Sequence, residues 1–300
     1  MSDKTYHYSE IFNSIQGEGH YTGVPTAWLR FFLCNLQCNG FGQKEPTKPD
    51  TYELPYLEID PTQYKSMEDL PVFEFGCDSS YSWSKKFKSL QHKGNPAEIA
   101  SNIRSALVGP WNPQGLFNYN GTERHMCFTG GEPLMKHAQE CSVEIMKTFE
   151  AERDLPKFVT YETNGTQPLT PEFIRYFNEY KDIWGGELFL SISPKLWSVA
   201  GEEAKRAIKP EVIASYGQVR HKAQLKFVIN GTDESWNELD SILADFRFHG
   251  INYPVWIMPA GATVEGQKIC DADVATEAFN RGYNVSARVH TYLWGNKIGV

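Results

Sequence analysis

Short apolar runs of strand type alternate with longer helix-type segments along most of this chain, and that alternation restricts its fold more than any other feature. Strand-type runs occupy 26–33, 125–129, 157–161, 187–192, 222–229, 254–258 and 284–289. Helix-type segments occupy 96–108, 138–150, 171–180, 202–215, 234–248 and 271–281. Several of these open on good caps, such as Thr170 before Pro171 and Thr232 before Asp233 and Glu234. Such a chain builds an α/β fold, a mostly parallel sheet closed or partly closed into a barrel. Two stretches break the rhythm. Residues 39–76 are rich in Pro, Tyr, Phe and acidic side chains without periodicity, and 109–124 are a Gly/Pro/Asn-rich connection. A structureless stretch as long as the first is unusual in a compact domain, so 39–76 are expected to be an ordered insert, a lid or a partner surface.

Polar or glycine-rich turns follow the strands directly. They are 130–133 (Gly-Gly-Glu-Pro), 162–165 (Glu-Thr-Asn-Gly), 193–195 (Ser-Pro-Lys), 230–231 (Asn-Gly) and 259–261 (Pro-Ala-Gly). In parallel α/β folds, ligands collect where loops converge at the carboxyl ends of strands. Any one of these turns reads equally well as an ordinary strand ending. Their succession predicts that all five face one cleft.

Composition narrows the class of protein. The 300 residues carry 41% hydrophobic side chains, enough for a full core, and a formal net charge of −8. That balance argues against a chain that coats nucleic acid through a basic surface. No apolar run approaches a membrane span, and the first residues lack a signal-peptide pattern. Six irregularly spaced cysteines do not read as a disulfide scaffold, which fits a reducing, cytoplasmic setting. Aromatic content of 14% suits either a large core or stacking surfaces for a flat ligand.

Cys34 and Cys38 lie four apart, and residues 39–76 separate them from Cys77. Spacing alone makes this a weak metal signal, since structural zinc asks for tighter pairs and a fourth ligand. Cys127, Cys141 and Cys270 sit in apolar contexts and read as core cysteines.

The flanking residues say more. Glu10, Gln16, Gly17, Glu18 and Gly19, then Trp28 and Arg30, then Cys34 and Cys38, resemble the opening of the 7-carboxy-7-deazaguanine synthases, a radical S-adenosylmethionine family. The likeness resumes at Cys77-Asp78-Ser79 and continues through Gly130-Gly131-Glu132-Pro133, Glu162-Thr163-Asn164-Gly165 and Ser193-Pro194-Lys195. It ends at Arg288-Val289-His290 and Leu293-Trp294-Gly295. One departure is plain. The usual spacing of the third cysteine falls on Phe41, so 39–76 read as an insert within the cluster loop of a single radical S-adenosylmethionine domain spanning 1–300.

The resemblance implies a partial (incomplete) β/α barrel in which Cys34, Cys38 and Cys77 hold a [4Fe–4S] cluster with one iron left open. S-adenosylmethionine would chelate that iron, with Thr129, Gly130, Gly131, Glu132, Thr163, Asn164, Ser193, Lys195 and Met258 around it. One electron into its sulfonium yields a 5′-deoxyadenosyl radical, which in the family takes hydrogen from 6-carboxy-5,6,7,8-tetrahydropterin. The ring contracts, ammonia leaves, and 7-carboxy-7-deazaguanine forms. Gln16, Glu18, Arg30, His290 and the carboxylate of Val300 are implied as substrate ligands, and Ser79 as a ligand of Mg²⁺. A flavodoxin-like electron donor and a homodimer are implied as well. Bland readings stand beside these: a surface ion pair for Arg30, a satisfied core histidine at 290, a solvated loop at Ser193 and Lys195, a turn cap at Asp78 and Ser79. Two other functions stay open. One is a different radical enzyme, such as a glycyl-radical activase; the other is a non-catalytic, metal-stabilised protein that binds partners through 39–76.

Overall fold

The computed structural model describes residues 4–295 and 297–299. In chain order the strands are β1 (Tyr6–Ile15), β2 (Pro25–Phe31), β3 (His92–Gly94), β4 (Asn118–Tyr119), β5 (Thr122–Glu123), β6 (His125–Gly130), β7 (Phe158–Thr163), β8 (Glu187–Ile192), β9 (Lys222–Ile229), β10 (Val255–Pro259) and β11 (Asn284–Val285). The α-helices are α1 (Pro96–Leu107), α2 (Lys136–Ala151), α3 (Pro171–Trp184), α4 (Trp197–Ala200), α5 (Ala204–Ala207), α6 (Pro210–Ser215), α7 (Asp233–Phe248), α8 (Val264–Gln267), α9 (Asp271–Asn280) and α10 (Val289–Trp294).

Nine strands form one sheet in the order β11-β10-β9-β8-β7-β6-β2-β1-β3. From β2 to β11 every pairing is parallel; β1 runs antiparallel to both β2 and β3. The two edge strands do not pair with each other, so the sheet is a partial barrel, as the strand–helix alternation and the resemblance led us to expect. Its central strands are buried along almost their whole length, which explains their unbroken apolar sequences. Phe128, Tyr161 and Phe173 pack ring against ring through the middle of the core. The expected caps form. Thr170 accepts from Phe173 N and Thr232 from Ser235 N, while an unanticipated capping box of Asn95 and Glu98 starts α1.

Several expectations fail for local reasons. The strand at 284–289 ends at Val285, because the chain turns to dock Arg288 and then enters α10. The single helix expected over 202–215 is broken at Pro210, whose ring forbids continuation and holds Lys209 out of helical geometry. β1 has no counterpart among the strand-type runs, since a register shift between Tyr8 and Glu10 spoils its alternation. Within 109–124, Asn120 and Gly121 both take positive φ and close the β4–β5 hairpin, an Asn-Gly signal that the composition of the stretch obscured.

Residues 39–76 contain neither α-helix nor strand. Single 3₁₀ turns occur at Pro49–Thr51, Pro55–Leu57, Pro61–Gln63 and Met67–Asp69, three of them started by proline. Tyr56, Met67, Leu70 and Phe73 pack with Phe32, Tyr81, Phe87 and Leu90 into a small core beside the main one. Burial without periodicity explains why no regular element was legible there.

Candidate active site

The loop after β2 is held by unusual backbone. Leu33 has φ +91° and Cys38 φ +54°, conformations that cost a side-chain-bearing residue energy and persist only where neighbours enforce them. Leu33 N donates to Ser82 O at 2.8 Å, and its carbonyl accepts from Glu132 N at 2.9 Å. Glycine is required opposite it, because a Cβ on Gly131 would lie 2.0 Å from Leu33 O. The Gly-Gly turn therefore serves first as the surface on which the cysteine loop lies.

Cys34, Cys38 and Cys77 come together on one cavity of about 270 Å³, Cys77 arriving from the far end of 39–76. All three are free thiols, as are the other cysteines. Burial pushes the Cys34 thiol up to about 12, the neighbouring Glu132 adding to it, and raises Cys38 and Cys77 as well. Thiols so placed ionise when a metal takes the proton's place. Cys127 and Cys141 are core residues as expected; Cys270 is only half-buried, beside Ala260 O.

The opposite wall comes from the strand ends. Thr129, Gly130, Gly131, Thr163, Asn164, Ser193, Lys195 and Met258 all line the cavity. Two expectations need correction. Asn230 and Gly231 do not line it: Asn230 caps the turn into α7, and β9 contributes Lys226 and Val228 instead. Glu132 is also turned away. Fully buried, it accepts from Leu134 N, Thr163 Oγ1 and Asn164 N at 2.7–2.9 Å, and so braces the wall from behind.

Gln16, Glu18, Arg30, His290 and Ser79 line the same cavity, and a 90 Å³ side lobe continues past Arg30, Ser79 and His290 toward the chain end. Val300 lies outside the described residues. The loop carrying Gln16 and Glu18 lies so close to α10 that a Cβ on Gly17 would sit 1.9 Å from His290 Nδ1. Glu18 pairs with Lys226, and with Arg288 Nε at 3.0 Å; Arg288 Nη2 reaches Asp78 at 2.7 Å. Burial alone would raise the Glu18 carboxyl, but Lys226 and Arg288 override it and hold it well below the usual carboxylate range. Burial lowers His290 against the opposing pull of Glu18, leaving it a neutral imidazole at physiological pH. Arg30 donates from Nε to Glu10 at 2.6 Å, an ion pair that is buried and not, as the bland reading had it, on the surface. Glu162 accepts from Gln16 Nε2 at 3.3 Å and Thr129 Oγ1 at 3.1 Å.

Lys226, Arg288, Glu162 and Glu10 were not singled out as site residues. A lysine inside the apolar run 222–229 was a usable signal, because a charge in a buried strand needs a partner. The others were visible only as members of quoted motifs.

The donor set suits an iron–sulfur cluster. Among the described residues no group of three or more His, Cys, Asp or Glu closes around a single metal ion. Thiolates bound to different irons of one cluster stand farther apart than ligands sharing an ion. Trp28 Nε1, on a side chain that lines the cavity, is a buried donor with no partner among the described residues, and the Trp83 side chain faces the Cys77 thiol, both consistent with a polar occupant.

Comparison with known proteins bears on the same site. A 7-carboxy-7-deazaguanine synthase of Pyrobaculum aerophilum is 25% identical over 97% of this chain and 95% of its own. One of Halobacterium salinarum is 26% identical over 96% of this chain and 90% of its own. The chain is a relative of the 7-carboxy-7-deazaguanine synthases along nearly its whole length. No protein-family model matches it. The crystal structure of QueE from Escherichia coli, 17% identical, superposes with a TM-score of 0.51 over 95% of each chain, a likeness of fold.

Proposed function

We propose that this chain is a 7-carboxy-7-deazaguanine synthase, a radical S-adenosylmethionine lyase that converts 6-carboxy-5,6,7,8-tetrahydropterin to 7-carboxy-7-deazaguanine with loss of ammonia. The observation that carries the reading is the convergence of Cys34, Cys38 and Cys77, from both sides of 39–76, on a cavity whose other wall presents Gln16, Glu18, Arg30 and His290.

Cys34, Cys38 and Cys77 would hold the [4Fe–4S] cluster, and Gly130, Gly131, Thr163, Asn164, Ser193 and Lys195 would border S-adenosylmethionine. Bound together, these groups supply one-electron chemistry that abstracts a substrate hydrogen. The chain's own residues do the rest by placement. Glu10 fixes Arg30 at Nε and Gly130 O accepts from Nη1 at 3.4 Å, leaving Nη2 and the second Nη1 hydrogen to meet a substrate carboxylate. Gln16 and Glu162 present an amide and a carboxylate to the donor and acceptor edge of a flat heterocycle. Neutral His290 offers one ring nitrogen as donor and one as acceptor, and Lys226 and Arg288 keep Glu18 anionic as a fixed acceptor. Trp28, stacked on Phe12 at 5.5 Å, gives the cavity an apolar face that limits water beside the reacting carbon.

Ser79 is proposed as the protein's oxygen ligand to Mg²⁺, with substrate carboxylate and water completing a sparse hard-ion site. Asp78 is engaged by Arg288 and is not assigned to the ion. A flavodoxin-like donor, a homodimer and a cytoplasmic setting complete the proposal. No helix among the described residues is long and apolar enough to cross a membrane.

Anaerobic reconstitution with iron and sulfide, followed by incubation with S-adenosylmethionine, reductant and the carboxylated tetrahydropterin, tests the reading. Formation of the deazaguanine acid supports it. A reconstituted protein that cleaves S-adenosylmethionine but leaves the pterin unchanged would refute the substrate assignment, and a colourless protein without iron would refute the whole.

A further inference from the structure

The three cysteines differ in what surrounds their sulfurs. Cys34 Sγ accepts from Leu36 N at 3.4 Å and lies 3.9 Å from Asn164 Nδ2; Cys77 Sγ has the Ser79 hydroxyl at 3.5 Å. Among the described residues no such donor reaches Cys38 Sγ. Two backbone donors of its turn are committed elsewhere: Gln37 N and Cys38 N both donate to one oxygen of Glu202, at 2.6 Å and 2.8 Å.

Glu202 is 4% exposed and reaches this turn from just after α4. The same junction ties Gly40 N to Ala200 O at 2.9 Å, so the far side of the loop is fixed to one short segment. The other Glu202 oxygen is 3.9 Å from Arg206 Nη1, but that arginine is 56% exposed and also donates to Asn35 O. A solvated cation at that distance offsets little of a buried carboxylate's charge. Two physical effects follow. Two charge-assisted hydrogen bonds hold Cys38 at φ +54°, a conformation it would otherwise leave. Glu202 sets an anion against the Lys195 cation beside a thiolate that receives no hydrogen bond among the described residues, and both conditions disfavour adding an electron to a bound cluster.

We propose that Glu202 is a positioning residue that locks the Cys38 turn and holds the reduction potential of the bound cluster low. This rests on the assignment of Cys34, Cys38 and Cys77 as cluster ligands. A low potential is what reductive cleavage of a sulfonium requires, so the residue acts on the driving force of the electron and not on substrate binding.

The test compares wild type, Glu202→Gln and Glu202→Asp after anaerobic reconstitution, reading iron content, the electron paramagnetic resonance signal of the reduced cluster and its midpoint potential by redox titration. Glutamine keeps the acceptor oxygen and removes the charge. Full iron content with a positive shift is expected, the reduced-to-oxidised ratio at fixed potential rising at least tenfold, which is about 59 mV for one electron. Aspartate keeps the charge on a shorter arm and is expected to stay closer to wild type. A Glu202→Gln cluster that titrates at the wild-type potential overturns the proposal even if iron is lost on deeper truncation, because Glu202 is then only a structural cap. Wild-type protein that assembles no cluster fails earlier, and overturns the ligand assignment together with everything built on it.

Discussion

Cys77 is the residue on which the assignment turns, since it reaches the cavity only by way of residues 39–76. Cys77→Ala is expected to abolish cluster assembly, and Cys270→Ala to leave iron unchanged; equal iron in the two reconstituted variants would remove Cys77 from the ligand set. Arg30 gives a second test. Arg30→Lys keeps the charge but loses the planar fork, and should raise KM for the pterin roughly 10- to 100-fold, as expected from losing one bidentate contact, with a smaller effect on kcat. His290 supplies a pH dependence. Its folded pKa lies below the ordinary value near 6.5, so below that pH the unfolded chain binds the extra proton and stability falls as pH falls. Urea unfolding at pH 7 and pH 5 should therefore show a larger loss for wild type than for His290→Gln. Equal losses would mean that His290 is not held neutral by the fold.

Among elements, the informative contact is between the β2 loop and the turn after β6. Residues 130 and 131 read in the sequence as a glycine turn facing a ligand cleft. In the fold Gly131 also has to be small because Leu33 O lies where its Cβ would be. Gly131→Ala must move the cysteine loop, and should cost about 1–3 kcal/mol by overpacking together with much of the iron. A variant with wild-type unfolding midpoint and full iron content would contradict that packing. The strand ends were legible because their polarity is local. Which of them turn inward was not: Asn230 looks like the other strand-end residues in sequence, yet it is spent on the cap of α7. Glu132 fits its motif and nonetheless faces the protein interior.

Over the whole molecule, residues 39–76 add a layer that shares a second small core with Phe32, Tyr81, Phe87 and Leu90, and they decide where Cys77 stands. Phe87 is fully buried in that core, and Phe87→Ala should cost about 3–5 kcal/mol. Because the main core is separate, the loss should appear as early protease cleavage within 39–76 and faster loss of iron, ahead of global unfolding. Simultaneous loss of both would mean that the two cores unfold as one.

Periodic burial is a local property, so the succession of strands and helices, the polar strand ends and several helix caps were readable from the amino acids alone. The cysteine loop, the glycine turn and the opening polar loop could be recognised as pieces of one family pattern for the same reason, each being contiguous in sequence. Only tertiary structure decided what meets across the cavity. Lys226 finds Glu18 from a strand 208 residues away, Arg288 closes on Asp78, and Glu202 captures the Cys38 turn. Such pairings are set by the path of the sheet and by the need of buried charges for partners, and no spacing in the chain encodes which partner is found.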